Sequence, residues 1–339
     1  MGIKHIAIAF PPHRFSTKDV ATGYSKAFHR LGYHVIEIDY AQIWEDWCKI
    51  RGLDKRSDED KRWLFERASG DVLFEVVKND PDLVLVIDGS QLHEIFWKWI
   101  GRFDFKVAMA MTDCPYHDVA HAYLINRCDF PFANDRGSAR KMGIPYLPMA
   151  YNKEIHHPML VPQKFRSDVV FVGSGFQERI AIMEQVDWTG IDLKLLGYWN
   201  LDDDSPLAPY YDNGQIGVAN HLVAQYYCGA KLVLNIDRTS IDWKGAEHID
   251  GRESVGPRIY EAAACAATIV SQNSVPEMDE LLGDSYLPFS TPEELQEIVH
   301  TWVSDDMAEA RKEMGLAARE KIKGHSYEDR AQALIKALT

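Results

Sequence analysis

The sequence predicts an α/β protein built from two Rossmann-like domains in tandem, each a parallel sheet covered by helices. Three observations carry this expectation. With 339 residues the chain exceeds what one hydrophobic core usually serves. Short apolar runs alternate with helical segments through the first half, which implies right-handed βαβ units. A stretch of little periodicity from about Ile144 to Gln163, punctuated by Pro145, Pro148, Pro158 and Pro162, interrupts that alternation before it restarts. The expected division is 1–150, a linker over 151–166, a second domain over 167–325 and a terminal helix over 326–339.

Taken in order, Ile3–Phe10 reads as a buried strand followed by Pro11-Pro12. Thr17–Leu31 reads as an amphipathic helix with Val20, Tyr24, Ala27, Phe28 and Leu31 on one face, stopped by Gly32. Strands are expected at Tyr33–Tyr40, Leu83–Ile87 and Lys106–Met111, with helices from about Asp58 to Lys78 and over Gln91–Ile100 between them. In the second half, strands are expected at Asp168–Val172, Leu193–Leu196, Lys231–Ile236, Thr268–Ser271 and Tyr286–Phe289. Helices are expected over Gln177–Val186, Ala219–Cys228, Pro257–Ala267, Asp279–Leu282, Pro292–Val303, Met307–Lys323 and Tyr327–Leu338. Ligands of such sheets sit at the carboxyl ends of the strands, so a cleft between two facing sheets is the expected site.

Composition narrows the function classes. A net charge of −14 repels phosphodiester backbones and disfavours broad nucleic-acid binding. One segment runs the other way: from Arg127 to Arg166, seven basic residues (Arg127, Arg136, Arg140, Lys141, Lys153, Lys164 and Arg166) face Asp129, Asp135 and Glu154. It reads first as a solvated surface and second as a patch for an anionic partner. Cys48, Cys114, Cys128, Cys228 and Cys265 are scattered, odd in number and without a CxxC pair, as in a chain with reduced thiols. The N-terminal apolar run is too short for a signal sequence, and no run approaches the ~20 residues of a membrane span. A soluble, cytoplasmic protein is expected.

Two clusters suggest chemistry. Gly173-Ser174-Gly175 stands where a strand hands over to a helix, and Arg179 follows on that helix. Glycines there let backbone approach a phosphate, which the helix N-terminus and an arginine would hold, although a lone GxG is also a common tight turn. The third glycine and downstream acid of a dinucleotide fingerprint are missing, which argues against NAD. The second cluster is Glu253 to Glu261, two glutamates with seven residues between them, flanking a helix that begins at Gly256-Pro257-Arg258. A carboxylate accepts paired hydrogen bonds from vicinal hydroxyls, so one glutamate suits a ribose and the other a hexose, and Arg258 suits a phosphate. The alternative is a pair of solvated acids near a helix start.

Elsewhere the argument rests on position. His13, after the first strand, and Asp113 with His117, after the strand ending near Met111, fall at strand ends where a general base would stand. His117 and His121, four apart with Asp113 and Asp118 nearby, lack the glutamate of HExxH, and no metal is expected. His156-His157 reads as solvated linker and Asp202-Asp203-Asp204 as exposed loop. Trp44, Trp47, Trp97 and Trp99 read as core, or as an aromatic wall for an acceptor.

The segment from Gly256-Pro257-Arg258-Ile259-Tyr260-Glu261-Ala262-Ala263-Ala264-Cys265 through Val275-Pro276-Glu277-Met278-Asp279-Glu280-Leu281 to Phe289 and Glu293-Glu294-Leu295 resembles the C-terminal domain of CgeB-like, group 1 glycosyltransferases. The ending His325-Ser326-Tyr327-Glu328-Asp329-Arg330 is similar to that family's closing pattern. Phe171-Val172-Gly173-Ser174 with Arg179, Leu196-Gly197-Tyr198-Trp199 and Leu234-Asn235-Ile236 fall in its order, while Thr112-Asp113-Cys114-Pro115 and Leu147-Pro148-Met149-Ala150 match more loosely. The likeness covers 168 to 335 well and departs at Ala266-Ala267, where the family has a glycine.

The resemblance implies a GT-B fold, with two Rossmann-like domains facing across a cleft and the terminal helix crossing back to the first. It implies that Glu261 binds the ribose of a nucleotide-sugar and Glu253 touches the transferred sugar. Arg179, Arg258 and the backbone of Gly173, Ser174, Gly175 and Gly256 would hold the diphosphate, with Gly197 and Tyr198 against the nucleobase. The expected donor is UDP-glucose or a similar UDP-sugar, with no obligatory cofactor and no metal, because cations and helix N-termini stabilise the leaving group. On the acceptor side, His13 or Asp113 would act as base in an inverting transfer; in a retaining one, toward which E-x7-E leans, they would orient the sugar. A nucleotide-sugar epimerase or hydrolase, or a sugar-nucleotide-binding protein without catalysis, shares these contacts. The acceptor is open between small molecule, protein, glycan and a hydroxymethylated base in DNA.

Overall fold

The computed structural model describes residues 2–12, 17–52, 57–211, 217–241, 249, 251–273 and 275–338. It divides into two units, Met1–Pro148 with Tyr327–Thr339, and Met149–Ser326. In the first unit the chain runs β1 (His5–Ala9), α1 (Thr17–Arg30), β2 (His34–Ile38), α2 (Tyr40–Arg51), α3 (Asp58–Asn79), β3 (Leu83–Ile87), α4 (Glu94–Ile100), β4 (Lys106–Ala110), α5 (Asp118–Leu124), β5 (Phe130–Phe132) and α6 (Arg136–Met142). The strands pair in parallel in the order β2-β1-β3-β4-β5. Every side chain of β3, Leu-Val-Leu-Val-Ile, is buried, as a central strand covered on both faces requires. Val72 and Val76 of α3, Phe96 and Ile100 of α4, and Val84, Val86 and Met109 of the sheet share one core.

The second unit runs β6 (Ser167–Val172), α7 (Gln177–Met183), β7 (Leu193–Leu196), α8 (Asn220–Gly229), β8 (Ala230–Asn235), α9 (Pro257–Ala264), β9 (Ile269–Gln272), α10 (Pro276–Leu282), β10 (Leu287–Phe289), α11 (Pro292–Trp302) and α12 (Ala308–Lys321), and α13 (Tyr327–Leu338) follows. Its parallel sheet has the order β10-β9-β8-β6-β7. Counted within its own unit, each sheet is therefore wound 2-1-3-4-5. Each has one reversal of strand order, between β1 and β3 in the first and between β6 and β8 in the second. At such a reversal the two flanking connections leave in opposite directions and open a crevice at the carboxyl ends of the strands. No helix among the described residues is long and apolar enough to cross a membrane.

Several elements depart from expectation. The strand expected to reach Tyr40 stops at Ile38, because Asp39 turns to cap α2 by accepting the Gln42 amide (3.1 Å). Gly52 closes α2 in the left-handed conformation (φ 63). α5, β5 and α6 fall where no element was drawn. Trp97 lies in the core and Trp47 donates its indole N–H to Asp71 (2.6 Å), whereas Trp99 is exposed beneath the Arg102 guanidinium. The stretch expected as a linker packs as part of the second unit: Val161 and Phe165 are buried, and the Phe165 carbonyl crowds Gly229 so closely that a Cβ would overlap it.

α13 belongs to the first unit, where it lies on α1. Tyr327 packs edge-on against Tyr24 (5.4 Å between ring centroids), Arg30 pairs with Glu328, and Arg330 Nε donates to the Pro148 carbonyl (3.0 Å). Gly23 makes this docking possible, since a Cβ there would lie closer to the Tyr327 ring than the 3.0 Å limit that real Cβ atoms respect. Gly23→Ala is expected to destabilise the chain in urea unfolding by about 1–3 kcal/mol. That loss would come despite alanine being the better helix former by about 1 kcal/mol. In a Tyr327→Ala background the same substitution costs measurably less, because the ring it strikes is gone. Equal losses in both backgrounds would show that α13 does not dock through this contact.

Candidate functional site

The strand-order reversal of the second sheet puts the ends of β6 and β8 side by side, and Arg258 from the first turn of α9 spans them. Its Nε and Nη2 donate to the Val172 carbonyl (2.9 and 2.5 Å) and its Nη1 to Asn235 Oδ1 (2.6 Å). The guanidinium lies 4.4 Å from the centre of the Phe171 ring. Burial lowers its pKa, and Tyr227, Asp237 and Glu261 oppose that effect, so the buried cation stays charged.

The glycines around this cation have steric reasons to be glycines. A Cβ on Gly173 would overlap the Arg258 guanidinium, and one on Gly175 would overlap the Trp199 indole. Gly197, at φ 117, lies so close to the Gly173 carbonyl that no Cβ fits between them. The Gly173 and Gly175 amides both donate across to β7 and its extension, to Leu196 and Tyr198 carbonyls (2.8 Å each). Two of the three turn amides are therefore not available to a phosphate, and the Ser174 amide is the one of the three with no backbone acceptor among the described residues. Arg179, expected to face a diphosphate, is buried and donates to the Ile236 and Ser174 carbonyls (2.9 Å each). It ties the turn to the end of β8.

A second set of bonds fixes the loop that carries Glu253. Arg252 donates to Asp237 Oδ1 (2.9 Å) and to the Ser254 carbonyl (2.8 Å), and buried Glu277 accepts the Val255 amide (2.8 Å). Glu253 is half-buried between these anchors. Gly256 then serves as N-cap of α9 and Pro257 opens it; no side chain caps this helix among the described residues. An uncapped helix start presents amides and a partial positive charge to an anion. Tyr198, beyond Gly197 at the end of β7, is 45% exposed.

Glu261 lies one turn into α9 with its side chain 14% exposed. Burial pushes its pKa up from an ordinary value near 4.5 to about 7, and Arg258 and a hydrogen bond with Asn220 only partly reverse this. His156, expected to be solvated, is instead 2% exposed. It belongs to a buried relay: its Nδ1 accepts the Asn152 amide (3.1 Å) and its Nε2 lies 3.1 Å from Asn220 Oδ1. Burial drives its pKa down to about 4, so the ring is neutral and Nε2 carries the hydrogen. That hydrogen goes to Asn220 Oδ1, leaving the amide group of Asn220 to face Glu261. The 3.8 Å approach of His156 to Glu261 is thus a dipolar contact and not an ion pair. The sequence gives no sign of Asn220, and it assigns no role in the site to His156, Asn235 or Arg252, whose partners there are remote from them along the chain.

In the first unit, His117 Nε2 stands 3.4 Å from Asp113 Oδ2 at the end of β4, and its Nδ1 is buried without a hydrogen-bond partner among the described residues. His121 points away from this pair, toward Asp88 and Cys114. His13 lies outside the described residues. Asp202, Asp203 and Asp204 are exposed, as expected of a loop.

A family model described as "Glycosyl transferase-like" matches residues 179–336, from Arg179 into α13. The whole chain has the GT-B architecture of two five-stranded parallel sheets with helices, seen in sucrose-phosphate synthase from Thermosynechococcus elongatus (11% identity, 99% of this chain and 98% of that one covered, TM-score 0.67). Anabaena HepE, solved in complex with UDP-glucose, is similar over 99% of both chains (13% identity, TM-score 0.61). T4 phage β-glucosyltransferase is similar over the same share (16% identity, TM-score 0.59). No curated protein sequence matches the chain.

The raised pKa of Glu261 has a stability consequence with a definite sign. Between about pH 4.5 and 7 the native state holds a proton that the unfolded chain has released, so stability present below that window is lost as pH rises through it. The shift corresponds to about 3 kcal/mol at most, and partial exposure of the carboxylate reduces it. Glu261→Gln keeps the neutral form at every pH. Its melting temperature is expected to gain on the wild type steadily from about pH 5 to 7.5. A difference that stays constant across this range would place the Glu261 carboxylate in water.

Proposed function

We propose that the protein is a glycosyltransferase that moves a hexose from a nucleotide-diphosphate sugar, with UDP-glucose as the expected donor, to a hydroxyl acceptor. The observation that carries this reading is the pairing of a largely buried carboxylate, Glu261, with a helix start at Gly256 that no side chain caps among the described residues, beside the reversal point of a sheet and inside the segment that the glycosyl transferase-like family model matches. A diphosphate bound at that helix start would place its nucleoside one way along α9, toward Glu261, and its sugar the other way, toward Glu253. The HepE complex with UDP-glucose supports the choice of donor.

On this reading Glu261 accepts hydrogen bonds from the ribose hydroxyls and Glu253 contacts the transferred hexose. The α9 amides and the Ser174 amide meet the diphosphate, and Tyr198 offers its exposed ring to the base. Arg258 places donors on the Val172 carbonyl and Asn235, and Arg179 on the Ile236 and Ser174 carbonyls, so both stand as positioned positive charges behind the phosphates. In the transfer, the bond from the anomeric carbon to the donor phosphate oxygen breaks and one to the acceptor oxygen forms. The acceptor proton leaves to the departing phosphate in a retaining transfer, or to a base in an inverting one. Asp113 and His117 are the groups we assign to the acceptor side, Asp113 orienting the imidazole.

A thermal-shift panel of nucleotide-sugars tests the reading. A true donor at about 100 times its Kd stabilises the native state by about 2.7 kcal/mol, and UDP-glucose is expected to do so for the wild type but not for Glu261→Ala. A wild type that responds to no nucleotide-sugar, or a variant that responds equally, removes the donor assignment. Turnover of UDP-glucose with no second substrate would identify a hydrolase or epimerase instead.

A further inference from the structure

We propose that Cys114, Asp118 and His121 bind a single zinc-class divalent ion in the first unit, where it ties the end of β4 to α5. Asp118 and His121 are three apart on α5 and share one face; Cys114 lies in the loop that leads into it. Cys114 Sγ, a carboxylate oxygen of Asp118 and a ring nitrogen of His121 all lie within 4.8 Å of one another, and all three residues are buried.

The groups around these three side chains argue for a cation at their centre. His121 Nε2 faces Asp88 Oδ1 at 3.4 Å. Asp88 is also buried and accepts from the Ser90 amide (3.0 Å), the Ser90 hydroxyl and Thr112 Oγ1 (3.1 Å), which marks it as an ionised acceptor. Nε2 of the ring thus faces Asp88, and Nδ1 faces Cys114 Sγ, 3.5 Å away. Asp118 uses Oδ2 to accept from Ser138 Oγ (2.9 Å), with Lys141 Nζ at 3.9 Å, but its Oδ1 is buried with no hydrogen-bond partner among the described residues. The sulfur, the ring nitrogen and the carboxylate of Asp118 thus converge in one buried place, as the ligands of a single ion do. A divalent ion satisfies the ring nitrogen and the carboxylate and takes the thiolate as third ligand.

The geometry and the surroundings agree. Zinc bonded to sulfur at about 2.3 Å and to nitrogen at about 2.05 Å, at a tetrahedral angle, holds the two about 3.6 Å apart, against the 3.5 Å between Sγ and Nδ1. The Asp118 oxygen closes by up to about 1 Å to complete three-fold ligation. Asp88 behind His121, and Ser138 behind Asp118, are the outer partners that orient a metal-bound imidazole and carboxylate. Thiolate, imidazole and carboxylate together select zinc over magnesium or calcium. Binding replaces the Cys114 S–H bond by an S–metal bond and releases one proton to solvent; the two anionic ligands balance the charge of the ion.

The test uses the full chain, expressed with zinc and separately with cobalt, and passed through chelator and gel filtration. About one zinc per chain is expected. The cobalt form should show the near-ultraviolet thiolate-to-cobalt charge-transfer band. Cys128→Ser should keep that band, and Cys114→Ser and His121→Gln should lose it. Asp88→Asn, which touches no ion, should weaken affinity about 10–100-fold in competition with a chromogenic chelator. A wild-type chain free of zinc and cobalt overturns the proposal without recourse to any variant that might misfold. So does a charge-transfer band that persists in Cys114→Ser.

Discussion

The Arg258 guanidinium joins two strand ends that would otherwise leave polar groups without partners. Val172 and Asn235 end the strands on either side of the reversal point, and both turn acceptors toward the same partly buried cation. A partly buried charge is tolerated when it is hydrogen-bonded and its face is covered. Here carbonyl, side-chain amide and the Phe171 ring meet those conditions. The rest of the site is shaped around it. Gly173 is glycine because the guanidinium occupies the space of a Cβ, Gly197 because it touches the Gly173 carbonyl, and Gly175 because Trp199 covers Phe171 and the turn.

That constraint also sets the chemistry of Glu261. A carboxylate beside an arginine usually ionises more readily, yet burial wins here and holds Glu261 close to neutrality. The arginine has already given its hydrogen bonds to backbone and Asn235, so Glu261 gains only its charge. A carboxyl group poised in this way can accept from one hydroxyl of a diol and, when protonated, donate to the other. His156 and Asn220 fix where it points. Being neutral, they do so without adding a charge that would compete with a diphosphate.

Much of this architecture was legible in the sequence, for identifiable reasons. Strands such as Leu83–Ile87 are uniformly apolar because helices cover both faces, and alternation with helices then dictates a parallel sheet. The start of α9 was legible because Gly-Pro-Arg is a local signal. The Gly-x-Gly turn was legible as a turn, but the same glycines suit a phosphate or a bulky neighbour, and only coordinates show Trp199 and Arg258 in the space. His156 was misplaced because a Pro-rich stretch resembles a linker whether or not it packs, and its partner Asn220 is remote in sequence. α2 was overlooked although Asp39 and Gly52 bracket it with ordinary caps.

The two units share one winding and differ in what they hold at the carboxyl edge of the sheet. Around β6 and β8 the second unit gathers Arg179, Arg252 and Arg258, a cationic rim that favours a diphosphate whether or not any single guanidinium touches it. At the ends of β3 and β4 the first unit gathers Asp88, Asp113, Cys114, Asp118, His117 and His121, a neutral to anionic set suited to protons and cations. One topology thus supplies two crevices of opposite sign. On the proposed function, a donor rich in negative charge has a reason to choose the second unit, and an acceptor hydroxyl that must lose a proton has a reason to meet the first.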